Sequence, residues 1–123
     1  MISFAAVLFV LGRIIFGGYF LLGGIDHFRN RAHLAGYVAS KKVPMPLVAV
    51  VGSGILMVLG GAAIIANFYA ILGMWLLVIF LVPTTFIMHP YWKETDPMAR
   101  MSNRINFMKN LGLIGALLIM IAI

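Results

Sequence analysis

Four long apolar runs constrain this chain more than any other feature of its sequence. They cover roughly residues 4–25, 46–66, 68–88 and 105–123, each about 19 to 22 residues and so long enough to cross about 30 Å of hydrocarbon as a helix. The mean hydropathy of +1.10 and the low charged fraction of 10% are far from the values of ordinary soluble domains. We therefore predict an all-α fold, an integral membrane four-helix bundle in which residues 1–123 form a single transmembrane domain.

The connections between the runs leave little room for a separate catalytic domain. The two longer ones hold only about 15 to 20 residues each, the length of a loop or of one short helix. In the first, Leu34, Tyr37 and Val38 recur at i, i+3 and i+4, which favours a short interfacial helix in the headgroup region over a plain basic loop. The sequence shows no Ser nucleophile paired with a base, and it has no cysteine. We expect no stand-alone catalytic residues and no metal site; at most the chain is a subunit of an oxidoreductase.

Basic residues gather in the first and third connections, which must lie on the same side of the membrane. The positive-inside rule therefore places both connections in the cytoplasm and both termini outside. The same rule accounts for the net charge of +6, so we expect no binding to nucleic acid and some binding to anionic membrane lipids. The basic residues of these segments are Arg29, Arg31, Lys41, Lys42, Lys93, Arg100 and Arg104, with Lys109 about a turn into the fourth run.

Arg13 is the exception, because it lies near the middle of the first apolar run. A charged side chain at that depth costs about 2.5 to 3.5 kcal/mol on insertion scales, and Asp26 is 13 residues away on the same helix, about 20 Å. Two interpretations stay open: Arg13 snorkels and bonds to carbonyls and hydroxyls, or it meets a ligand or partner from outside the chain. The candidate hydroxyls are those of Tyr19, Ser53, Thr84 and Thr85.

A second group of polar residues is predicted at the cytoplasmic ends of the helices. Histidines beside aromatic rings at that depth can donate hydrogen bonds to a quinone carbonyl and move protons, because imidazole titrates near neutral pH. The alternative is an interfacial belt of Tyr, Trp and Lys that anchors the helices. A haem between His27 and His89 is not expected, since no other haem-binding signal accompanies them. The candidate ligand- or partner-binding residues are Arg13, His27, His89, Tyr91, Trp92, Asn106 and Lys109.

Five segments carry a family resemblance. They are Arg13 with the following FGGYFLLGGIDHF, VPMP before the second run, ILMVLGG within it, HPYW after the third run and INFMKNLGLIGALLIM in the fourth. In this order and spacing they resemble the DoxX family of small four-helix bacterial and archaeal membrane proteins, over nearly the whole chain. The resemblance implies a multi-pass protein of the prokaryotic cytoplasmic (inner) membrane. It also implies an acidic position in the second helix that is Val50 here, and hence the loss of a natural counter-ion for Arg13.

The resemblance suggests a function through the namesake members, which are membrane subunits of thiosulfate:quinone oxidoreductase, and through others linked to oxidative-stress complexes. Our first hypothesis is a membrane or adaptor subunit of a quinone-linked redox complex that docks a soluble redox protein on its basic cytoplasmic face. Quinone is then the expected ligand. The alternatives are a small transporter or permease-like module, which would need a homo-oligomer, and a structural protein that binds lipid.

Overall fold

The computed structural model describes all residues, 1–123, and contains helices and turns without strands. The helices are α1 (Phe4–Arg29), α2 (Arg31–Ser40), α3 (Pro46–Ala66), α4 (Ala70–Met88) and α5 (Pro97–Ala122), with a 3₁₀ turn at Tyr91–Lys93. The four long helices are each long and apolar enough to cross a membrane, so the predicted all-α, four-helix membrane fold is confirmed. The chain divides into two compact units, residues 1–77 and 78–123, which are described separately. The prediction that they form a single domain stays a prediction.

Two of the helices, α1 and α5, extend further into the polar connections than the apolar runs predict. α1 continues to Arg29, and the backbone N–H and the side-chain Nδ2 of Asn30 both donate to Asp26 O. α5 begins at Pro97, about eight residues before the predicted start, because the Asp96 carboxylate caps its first turn by accepting from the N–H of Ala99 at 3.0 Å. An apolar run marks only the part of a helix that is buried in the membrane. A prediction from apolar runs therefore omits the polar first and last turns of a helix.

In the first unit, α1 and α3 pack backbone to backbone through two pairs of glycines. A Cβ on Gly61 would lie 2.5 Å from Gly17 O, and a Cβ on Gly24 would lie 2.8 Å from Gly54 O. The glycines are seven residues apart on each helix, so both pairs fall on one face in an antiparallel arrangement. Small residues are what allow membrane helices to approach this closely. The short predicted helix is present as α2, which packs against α3.

The hairpin between α3 and the start of α4 is equally tight. A Cβ on Gly60 would lie 2.8 Å from Gly73 O. The turn is made by Asn67 and Tyr69, both with positive φ, at 53° and 50°. The N–H of Asn67 donates to Ile64 O, which satisfies one of the last carbonyls of α3.

In the second unit, one face of α5 carries the buried side chains. Phe107 is 8% exposed, Asn110 7% and Leu117 0%, at spacings of three and seven residues. In α4, Pro83 lies within a continuous helix, and the hydroxyl of the buried Thr85 donates to Leu81 O at 2.6 Å. This face of α5 and the end of α4 build the site described next.

Candidate functional site

A chain of hydrogen bonds joins His89, which directly follows α4, to Glu94, which directly follows the 3₁₀ turn. Nδ1 of His89 lies 3.2 Å from Oδ1 of Asn103, and Nδ2 of Asn103 donates to Oε1 of Glu94 at 3.3 Å. A carboxylate only accepts hydrogen bonds, so it fixes the orientation of the Asn103 amide, whose oxygen must then face His89. His89 is therefore the donor through Nδ1, and Nε2 is the acceptor atom of its neutral ring.

Aromatic rings surround Phe107, beside the hydrogen bonds that join His89, Asn103 and Glu94. The centroids of Phe86, Tyr91 and Trp92 lie 5.4, 5.4 and 5.5 Å from that of Phe107, in steep edge-to-face arrangements. Tyr91 and Trp92 occupy the 3₁₀ turn, and Trp92 is 48% exposed. These rings therefore pack against one another as one aromatic cluster at the level where α4 ends.

The other predicted residues of the second unit differ in their exposure. Asn106 is partly buried and Lys109 is exposed, while the neighbouring Asn110 is buried. Asn103 and Glu94, which orient His89, were not among the predicted site residues. Once α5 is known to start at Pro97, the spacing of Asn103, Phe107 and Asn110 on one helical face is the signal that identifies Asn103.

His27 belongs to the first unit and makes a local bond. Its Nδ1 donates to Gly23 O, one turn earlier in α1, at 2.9 Å, and its Cβ lies close to Gly54 of α3. This contact orients the ring along its own helix. The predicted convergence of His27 with His89 joins residues of different units and stays a prediction. No three His, Asp or Glu side chains are grouped as metal ligands.

Arg13 lies on the α3-facing stripe of α1, one turn before Gly17. Its Nε is buried and has no hydrogen-bond partner, and its guanidinium carbon is 4.9 Å from the centroid of the Phe9 ring. Such a cation–π contact stabilises a cation by about 0.5 to 2 kcal/mol, less than the insertion cost of the charge. The hydroxyl of Ser53 donates to Ala49 O at 2.6 Å and so is engaged within α3.

The structure corrects the interpretation of Val50 as the lost counter-ion position for Arg13. Gly17 meets Gly61 and Ile65, so Arg13 is level with the carboxyl end of α3, whereas Val50 lies near the start of that helix. About 15 residues separate the two levels, roughly 22 Å along the helix axis at 1.5 Å per residue. A carboxylate at Val50 could not have paired with Arg13. The proximity that does exist is to the negative end of the α3 dipole.

The basic residues of the connections lie at the surface. Lys41 is partly buried, with its Nζ 5.7 Å from the Tyr37 ring centroid, and the Nη1 atom of Arg31 donates to Phe28 O at 2.9 Å. The remaining ones, Arg29, Lys42, Lys93, Arg100 and Arg104, are exposed. Arg29 and Lys42 belong to the first unit, and Lys93, Arg100 and Arg104 belong to the second.

Four apolar helices joined by short polar connections define a small multi-pass membrane protein. The sequence model of the DoxX family matches residues 8–90, about two thirds of the chain, and the protein belongs to that family. Comparison with curated proteins and with solved structures gave no match. The match begins in α1 before Arg13 and ends just after His89.

Proposed function

We propose that this protein is the membrane subunit of a quinone-linked redox complex and that it holds a quinone headgroup at His89. The observation that carries the proposal is the Glu94–Asn103–His89 hydrogen-bond chain beside the aromatic rings of Tyr91, Trp92 and Phe107. The arrangement combines an oriented proton-exchanging group with flat apolar surfaces. A quinone headgroup requires both.

The orientation of His89 determines what its ring can do for a quinone. In the neutral ring Nδ1–H is bonded to Asn103, so Nε2 can accept the proton of a quinol hydroxyl. The protonated ring can donate to a quinone carbonyl from the same atom. The chain holds no electron carrier of its own among its residues, so electrons would come from a partner protein of the complex.

A soluble redox protein with an acidic surface is the partner proposed for the exposed basic residues. In the proposed positive-inside orientation, the two connections that carry Arg31, Lys42, Lys93, Arg100 and Arg104 are both cytoplasmic. Electrostatic attraction at such a surface raises the association rate and weakens with salt. The cytoplasmic (inner) membrane of a prokaryote is the proposed location.

Quenching of Trp92 fluorescence tests the quinone site directly. The chain has two tryptophans, and Trp75→Phe leaves Trp92, at the proposed site, as the only reporter. A benzoquinone with a ten-carbon tail, titrated into this variant in lipid nanodiscs, should quench the signal with saturation. His89→Leu in the same background should raise the apparent Kd about 10-fold, the effect of one lost hydrogen bond of about 1.4 kcal/mol.

The control is His33→Leu, which removes an exposed histidine of α2 and should leave the titration unchanged. A second control, Trp92→Phe, leaves Trp75 as the reporter of quinone that has merely entered the bilayer. Quenching of Trp92 that rises without saturation and matches that of Trp75 would contradict the quinone site. The transporter and lipid-binding alternatives would then be favoured.

A further inference from the structure

Arg13, a partly exposed cation whose Nε atom is buried, lacks a counter-ion within its unit of the chain, and its position indicates what could supply one. We propose that Arg13 docks a transmembrane helix of a different protein, which presents an Asp or Glu carboxylate inside the bilayer. The proposal goes beyond the quinone site and does not depend on it. It rests on the orphaned Nε, on the distribution of acidic residues and on the depth of the guanidinium group.

The unit that contains Arg13 offers it no carboxylate. Asp26 is the only acidic residue among residues 1–77, and it lies about 20 Å along the same helix. Nε of Arg13 is buried without a partner, and the Phe9 ring supplies only a weak attraction. An arginine fork is shaped for bidentate bonding to a carboxylate, which is the strongest neutralising contact available to it.

A second copy of this chain could not supply the carboxylate either. The other two acidic residues, Glu94 and Asp96, lie in the connection between α4 and α5, outside all four candidate membrane spans. A homo-oligomer therefore brings no acidic residue to the depth of Arg13. The carboxylate must come from a different molecule.

The depth of Arg13 favours a helix over a lipid headgroup. Nine residues separate Phe4, the start of α1, from Arg13, so the Cα of Arg13 lies about 13 Å along the axis from the start of this candidate membrane span. A phosphate at the bilayer surface would have to be drawn well into hydrocarbon to reach the guanidinium group, at the cost of its hydration. A carboxylate that is already carried within a transmembrane helix needs no such displacement.

An open face of α1 lies beside the face that carries Arg13. A Cβ built on Gly12 would meet no atom within 4 Å, and Ala5, seven residues earlier on the same face, is exposed. Consecutive helical residues point about 100° apart, so this open face adjoins that of Arg13 and does not contain it. Small residues on such a face allow a membrane helix to approach closely.

A synthetic transmembrane peptide provides the test. The probe is a leucine-rich helix with a single Asp at mid-membrane depth, labelled with a fluorescence acceptor, and mixed in lipid vesicles with the reconstituted full-length protein carrying the donor. We expect the Asp peptide to associate about 10-fold more tightly than an all-Leu peptide, a difference of about 1.4 kcal/mol. Arg13→Leu should remove this difference.

Arg29→Leu is the matched control, because it removes a cation from the end of the same helix and should leave the Asp preference intact. Circular dichroism of each variant confirms that α-helical content is retained. Equal association of the Asp and Leu peptides, or an Asp preference that survives in Arg13→Leu, would overturn the proposal. If oleate at equimolar concentration abolishes the Asp preference, a fatty-acid carboxylate occupies Arg13 better than a helix does, and the proposed partner is wrong. The quinone titration is unaffected by any of these outcomes, so the two proposals can fail separately.

Discussion

A single amide determines how His89 can act. Asn103 contacts the imidazole through its oxygen because its nitrogen is held by Glu94. Neither residue reacts with a quinone in the proposed function, so both are positioning residues. Their effect is to place the proton of the neutral ring on Nδ1 and the acceptor lone pair on Nε2.

Asn103→Leu should remove the preference of the neutral His89 ring for the Nδ1–H tautomer. We expect nitrogen chemical shifts of ¹⁵N-labelled histidine to show a mixture of the two neutral tautomers of His89 in the variant, in place of the single Nδ1–H form. Quinone affinity should fall by about 3- to 10-fold, because the ring is no longer oriented.

Glu94→Gln is the companion variant. Glutamine can donate as well as accept hydrogen bonds, so the Asn103 amide can bind it in either orientation. We therefore expect a partial mixture of the two neutral tautomers of His89. The signal of His27, whose Nδ1 is bonded to Gly23 O, serves as an internal reference that should not move. A single unchanged tautomer of His89 in both variants would show that Asn103 and Glu94 do not set it.

The sequence analysis proposed His89 as a site residue, which stays a prediction, and it did not include Asn103 and Glu94, which orient the His89 ring. Asn103 lies in a polar stretch that the apolar-run criterion assigns to a connection, and only the actual start of α5 at Pro97 puts it on the Phe107 face. Arg13 was recognised because its charge conflicts with its surroundings. The expectation about Val50 was wrong because the alignment of α1 with α3 is not visible in either helix alone.

The helices pack through particular glycines, and this determines which elements tolerate substitution. Small residues allow membrane helices to approach closely, and Gly17, Gly24, Gly54 and Gly61 do so here. Gly18, Gly52, Gly112 and Gly115 would each accept a Cβ with no atom within 4 Å. The seven-residue spacing within each helix distinguishes the contacting glycines from these open ones, whereas glycine content alone does not.

Gly61→Ala should destabilise the packing of α1 against α3. The added methyl group would lie 2.5 Å from Gly17 O, a backbone atom that can move only with its helix. We expect a loss of about 1 to 3 kcal/mol, the usual cost of overpacking, measured by titration with sodium dodecyl sulfate and circular dichroism.

Gly115→Ala in α5 is the control for this substitution. It has open space for the methyl group, and alanine favours helix over glycine by about 1 kcal/mol, so stability should be unchanged or higher. Equal losses in the two variants would indicate that the close contact of Gly61 with Gly17 does not contribute to stability.

For the whole molecule, the orientation in the membrane decides which surface is available to a soluble partner. The absence of cysteine from the sequence makes single-cysteine labelling straightforward. Ser40 at the end of α2 and Ser102 in the first turns of α5 are exposed and lie in or beside the two basic connections. Phe68, in the turn between α3 and α4, is 68% exposed.

We expect a membrane-impermeant thiol reagent to label Phe68→Cys in intact cells and to label Ser40→Cys and Ser102→Cys only after the membrane is opened. The physical reason is the concentration of Lys and Arg in the connections that contain the two serines. The reverse pattern would place the basic surface outside and exclude a cytoplasmic redox partner. A separate blot of each variant checks that all three are inserted in similar amounts.

The paired glycines of α1 and α3 also restrict how the length of this protein can vary. One residue inserted between Gly17 and Gly24 would rotate the second glycine about 100° away from the first, so that only one of the two contacts could survive. The same holds between Gly54 and Gly61. Insertions and deletions are therefore excluded from these two intervals, whereas the segment between Ser40 and Pro46 can change length without turning either pair out of register.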